Sequence, residues 1–119
     1  MSIKKRHNYK NLKIWQMAMQ IANDVFEISS EFPLEEKYGL RSQINRCAVS
    51  IPSNIAEGSS RSNKSFSHFI DISLGSSFEL VTQLIISNNR NYITQEKLEE
   101  IENKIDEFQK MTIGFLKTL

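Results

Sequence analysis

Hydrophobic positions recur along this chain at alternating steps of three and four, the period of amphipathic helices. In the first segment, about 11–31, Leu12, Trp15, Met19, Ala22, Phe26 and Ser29 form a stripe that Ile14, Ile21, Val25 and Ile28 broaden. Asn11 is placed as its N-cap, and the Phe32-Pro33 step ends it because a residue before proline avoids the α region. The second segment, about 36–60, carries Leu40, Ile44, Cys47, Ile51 and Ile55. Pro52 falls inside it, removing one helical hydrogen bond and crowding the carbonyl of Ala48. This predicts a kink, with Ser50 or Ser53 satisfying the freed groups. A third helix over about 63–88 is lined by Phe66, Phe69, Ile70, Ser73, Ser77, Leu80, Val81, Leu84 and Ile85. The small Ser73 and Ser77 admit a closely approaching neighbour. A fourth, over about 94–118, is N-capped by Thr94, has Glu96 in its first turn, and repeats Leu98, Ile101, Ile105, Phe108, Thr112, Phe115 and Leu119 without a slip. Four helices of about 30–39 Å with short links predict an all-α, antiparallel up-down-up-down four-helix bundle with a kinked second helix, preceded by a basic arm over 1–10.

Composition agrees and narrows the function. In 119 residues there are 4 Gly and 2 Pro, too few for the turns of a β-sandwich. One cysteine excludes a disulfide framework and a cysteine-based zinc site. The basic start lacks the apolar run of a signal peptide, and uncharged stretches such as 80–89 are too short and polar to span a bilayer. A soluble cytoplasmic protein is expected.

Catalytic chemistry is thin. His7 lies in the basic arm, and His68, three residues before Asp71, has no companion ligand. Cys47 sits on an apolar stripe, the setting of a small buried hydrophobe rather than a nucleophile. The acidic run Glu96, Glu99, Glu100, Glu102, Asp106 and Glu107 avoids the heptad seam and reads as a solvated face. No phosphate-binding or nucleotide-binding motif occurs. Neither an enzyme nor a cofactor or metal is expected.

The net charge of +1 hides segregation: residues 1–13 carry +5, 14–36 carry −5, 37–64 carry +4, and the rest −3. Lys4, Lys5, Arg6, Lys10 and Lys13, with Tyr9 available to stack, are candidate nucleic-acid contacts. Arg61 and Lys64 flank the start of the third helix, where free N–H groups favour anions; Ser62 and Ser65 could add donors, although ordinary capping explains the same residues. On the second helix, Gln43, Arg46, Ser50, Asn54, Glu57 and Arg61 form a polar ladder a quarter turn from the apolar stripe. Val49, Pro52 and Ala56 fall on the far side, so the ladder is expected to lie at a subunit interface, the alternative being a solvent-facing polar stripe.

The segments NLKIWQMA (11–18), FPLEEKYGLRSQINRC (32–47), SIPSNIAEG (50–58) and the stretch around Ser73–Glu79 resemble the four-helix-bundle proteins encoded in intervening sequences of bacterial large-subunit ribosomal RNA genes. The chain is also similar to a relative of that family, the accessory variability determinant of diversity-generating retroelements. This resemblance implies a ring-shaped homopentamer, no established enzymatic activity, and, through the relative, a reverse transcriptase and nucleic acid as partners. It implies that Arg46, Ser50, Pro52, Asn54, Glu57 and Gly58 belong to the motif for fold and assembly. Cys47 departs from the alanine usual in relatives. The leading expectation is a non-catalytic oligomeric scaffold that contacts structured RNA; the alternative is a protein-binding accessory subunit.

Overall fold

A computed structural model describes residues 7–119. After a short 3-10 turn, Tyr9–Asn11, come α1 (Lys13–Ser29), a second 3-10 turn (Leu34–Glu36), α2 (Leu40–Ser59), α3 (Asn63–Asn89) and α4 (Gln95–Leu116). Four contact seams join α1 to α2, α2 to α3, α3 to α4 and α4 back to α1, while the diagonal pairs do not meet among the described residues. That is the square arrangement of an up-down-up-down bundle. The core is built from Ile14, Ala18, Ile21 and Val25 of α1, Ile44, Ala48, Ile51 and Ile55 of α2, Phe66, Ile70, Leu80 and Leu84 of α3, and Ile101, Ile105 and Phe108 of α4.

Helix starts follow local chemistry. Thr94 Oγ1 accepts from the Lys97 N–H at 3.1 Å, and Ser62 Oγ accepts from the Ser65 N–H at 3.4 Å. Asn11 does not cap α1; Asn8 caps the preceding 3-10 turn, and Leu12 stands at the N-cap position without a side-chain bond. The start of α2 is set from a distance. Glu36 Oε1 accepts from the Leu40 N–H at 3.1 Å, and Tyr92 donates to Glu36 Oε2 at 2.7 Å. These bonds, the tyrosine's first, hold the Glu36 carboxyl below its ordinary value. Tyr92 also packs on Phe32 with ring centroids 5.3 Å apart, so the α1–α2 and α3–α4 links close one end together.

Several expected positions move. Phe26 and Ile85, assigned to stripes, are exposed, because α1 centres its buried face on Ile14, Ala18, Ile21 and Val25, and α3 on Phe66, Ile70, Ser73 and Ser77. Pro52 lies inside a helix that is continuous across it, and it is buried rather than on the far side. Four residues after Ala48 and three before Ile55, it shares their flank by the helical period. Ser50 Oγ donates to the Cys47 carbonyl at 2.7 Å, one residue short of the carbonyl that Pro52 leaves unpaired, and Ser53 is exposed. By length and composition α3 is apolar enough to cross a membrane. Counting uncharged runs overlooked this because Asp71 and Glu79 interrupt the tract without making it polar. In the bundle, its central seam is buried by neighbouring helices.

Small residues let α2 and α3 close up. A Cβ on Gly58 would stand 2.6 Å from Phe69 Cβ and 2.8 Å from Phe66 Cδ1, and Ser73 Oγ donates to the Ile51 carbonyl at 2.8 Å. Gly58→Ala is therefore expected to lower unfolding free energy by about 1–3 kcal/mol through overpacking. Gly114→Ala, where a Cβ meets nothing within 4 Å, should raise it by about 0.5 kcal/mol through helix propensity. Urea unfolding of both variants at one protein concentration checks the opposite signs.

Candidate assembly and nucleic-acid surfaces

Helical geometry sets the polar ladder of α2 beside α3. Gln43, Arg46 and Glu57 are exposed, Ser50 and Asn54 half-buried. Two rungs bond within the helix: Ser50 to the Cys47 carbonyl, and Asn54 Nδ2 to the Ser50 carbonyl at 2.8 Å. Glu57 pairs with Arg61 at 3.4 Å, one turn on, with both side chains about half exposed. Within one chain this pair contributes no more than about 0.5 kcal/mol.

The facing flank of α3 is a second stripe that the sequence reading did not isolate. Ile72, Ser76, Glu79, Gln83 and Ile86 recur at steps of four, three, four and three. Between the two stripes runs a groove lined by Gln43, Arg46, Cys47, Ser50, Glu79 and Gln83. Arg46 and Glu79 line it together, yet neither forms an ion pair among the described residues. Gln83 Oε1 is buried without a hydrogen-bond partner among the described residues. Such an acceptor costs free energy until something donates to it. Ile72 and Ile86 are 40% and 43% exposed at either end. The signal for this flank was present in the sequence: α3 is apolar on more than its core stripe, which one buried seam does not require.

Pro52 and Gly58, the other motif residues, face inward: Pro52 is buried in α2, and Gly58 seats Phe66 and Phe69. Their contribution to any interface is indirect, through the shape of α2.

The basic candidates divide. Lys4, Lys5 and Arg6 lie outside the described residues. Lys10, Lys13, Arg61 and Lys64 are exposed. Arg61 is engaged by Glu57 and lies over the Phe69 ring at 5.1 Å. At the start of α3, Ser62 acts as an ordinary cap. Tyr9 is not free to stack on a base: half-buried, it meets the Trp15 ring edge-on with centroids 5.3 Å apart. His7 packs on Phe66 at 5.1 Å and Phe115 at 6.0 Å, fixing where the chain enters the bundle.

Among the described residues, no cluster of three or more His, Cys, Asp or Glu is placed to hold a metal ion. His68 and Asp71 are exposed on α3. On α4 the acidic run faces solvent except for a half-buried Glu102. Between its carboxylates Lys104 crosses to Asp24 of α1 at 2.7 Å, a bond that raises the lysine's pKa.

Cys47 is buried, and its thiol donates to the Ser76 carbonyl at 3.1 Å. Burial, helped by the nearby Glu79 carboxylate, pushes it up to about 12 from an ordinary 9.0. The folded thiol thus keeps its proton where the unfolded one loses it. Stability from this site is fully present below about pH 9 and falls as pH rises toward 12. Native protein at pH 8 is expected to alkylate with iodoacetamide far more slowly than urea-unfolded protein; equal rates would contradict the burial. In Cys47→Ala the loss of stability above pH 9 should shrink.

A sequence model of the 23S rRNA-intervening sequence protein family matches residues 10–114. Among solved structures, a protein of unknown function from the S23 ribosomal protein family of Bacteroides thetaiotaomicron is similar in fold. The two share a TM-score of 0.80 and 26% identity, over 87% of this chain and 95% of that one. No curated protein matches the chain significantly.

Proposed function

Because the chain belongs to the 23S rRNA-intervening sequence protein family, we propose that it is a non-catalytic scaffold that self-assembles through the α2–α3 face and contacts structured RNA through its basic residues. The observation that carries the assembly is the groove itself. Arg46, Glu79 and the buried, unpartnered Gln83 Oε1 form a polar centre between apolar Ile72 and Ile86. A second copy can supply the missing donors and cover the isoleucines, and polar groups at such a contact fix its register. The family resemblance supports a closed ring of five copies, in which each chain meets its neighbour by the same rotation.

A second reading, an accessory subunit for a nucleic-acid-processing protein such as a reverse transcriptase, draws on a different surface. Phe78 and Ile85, seven residues apart on α3, are 58% and 40% exposed away from the ladder. This apolar strip suits a protein partner more than a polyanion.

Light scattering at micromolar concentration is expected to give five times the 13.8 kDa chain mass, about 69 kDa. Arg46→Glu, at an exposed position outside the core, should shift the mass toward 13.8 kDa, and adding Glu79→Arg should recover part of the assembly. A monomeric wild type would overturn the proposal.

A further inference from the structure

The antiparallel bundle sorts charge by end. One end gathers the 3-10 turn with the start of α1, the α2–α3 link and the last turns of α4. Lys13 and Lys110 line one groove there with Met111, Gly114 and Phe115, and His7 contacts both Phe66 and Phe115. Residues 7–20, 53–70 and 110–119, which build this end, carry six Lys or Arg and a single acidic side chain, Glu57. Residues 23–47 and 82–102 build the opposite end and carry five Lys or Arg against nine Asp or Glu. Nothing in the linear charge pattern places α4 on the basic side, since its first half carries Glu96, Glu99, Glu100 and Glu102 against Lys97 and Lys104.

We infer that this basic end is a phosphate-backbone surface for RNA, and that Lys110 and Lys117 of α4 belong to it together with Lys10, Lys13, Arg61 and Lys64. The inference rests on the RNA-contacting part of the proposed function and locates it. Lys10, Lys13, Lys64, Lys110 and Lys117 are all exposed. Of these only Lys110 has an ionic partner among the described residues, Asp106 at 3.1 Å, an exposed pair that a phosphate can displace. Lys117 stands at the C-cap of α4, where the free carbonyls of the helix end favour a cation. The two rings that flank these lysines are already engaged, Tyr9 by Trp15 and Phe115 by Phe66, which matches the surface to a backbone rather than to bases. Binding should therefore follow charge and shape and show little base preference. The acidic end repels the same backbone, so RNA meets the bundle at one end. The basic end of one copy also complements the acidic end of another, a head-to-tail contact that particle mass in the absence of RNA tells apart from RNA binding.

The test uses the full chain and a labelled RNA hairpin, read by fluorescence anisotropy at about 50 mM and 200 mM salt. The double variant Lys110→Gln, Lys117→Gln is expected to bind about tenfold more weakly and to lower the salt slope by about one to two. Lys37→Gln with Lys97→Gln, the same charge change at the acidic end, should bind no more weakly than wild type. Wild type that binds RNA while the α4 variant binds equally well would overturn this inference and leave the RNA reading standing; wild type that binds no RNA at low salt would remove both. Poly-glutamate competing as strongly as unlabelled RNA at equal charge would assign the surface to an acidic protein segment. If the α4 variant alone reduced the particle mass in the absence of RNA, the end would be a self-association surface instead.

Discussion

The close approach of α2 to α3 is the constraint on which the rest of the molecule depends. It is the most extensive of the four seams, and small residues make it possible. Gly58 leaves room for Phe66 and Phe69. Ser73 reaches the Ile51 carbonyl, and Cys47 the Ser76 carbonyl. At such a distance backbone groups of one helix lie within reach of side chains of the other, so hydroxyls and a thiol replace bulkier apolar residues in mid-seam. Each gains a hydrogen bond that offsets its burial. A larger residue at any of these positions would separate the helices and misalign α4, which meets α3 through Gln109 and Ser77.

That seam also determines what the surface offers. With α2 and α3 drawn together, their outer flanks form one continuous strip in which a polar ladder lies beside an apolar-ended stripe. Gln83 is left with an acceptor that no group among the described residues satisfies. A solvated helix face would not combine a buried, unpartnered amide oxygen with isoleucines at both ends. The same combination is ordinary at the centre of a subunit contact, where a partner completes the bonds. Pro52 and Gly58 belong to this strip only through the shape they give α2.

Much of the fold could be read directly from hydrophobic spacing. α4 was legible over most of its length because its stripe repeats without a slip against an otherwise charged helix: Leu98, Ile101, Ile105, Phe108 and Thr112 are all buried, while Phe115 and Leu119 of the same stripe are half-buried. Ser62 and Thr94 were legible as caps because capping needs only residues three apart. α3 was read less well. It is apolar on several sides, so spacing could not say which apolar residues face the core, and Ile85 was assigned inward although it is exposed. The interface candidates on α2 were recognised, but their α3 counterparts were not, since no pattern within one helix identifies the flank that lies beside another.

The sequence by itself determined the four helices, the buried thiol and the polar ladder, because each of these depends on residues within a few turns of one another. The tertiary structure alone decided which flank of α3 meets the ladder and that Pro52 is buried. It also decided that Glu36 caps α2 under the hold of Tyr92, 56 residues away, and that the lysines of α4 join those of the N-terminal segment at one end. The physical reason is common to all four: each depends on the rotation and register of packed helices. Those are fixed by how side chains of four separate segments fill one core, not by the period of any one segment.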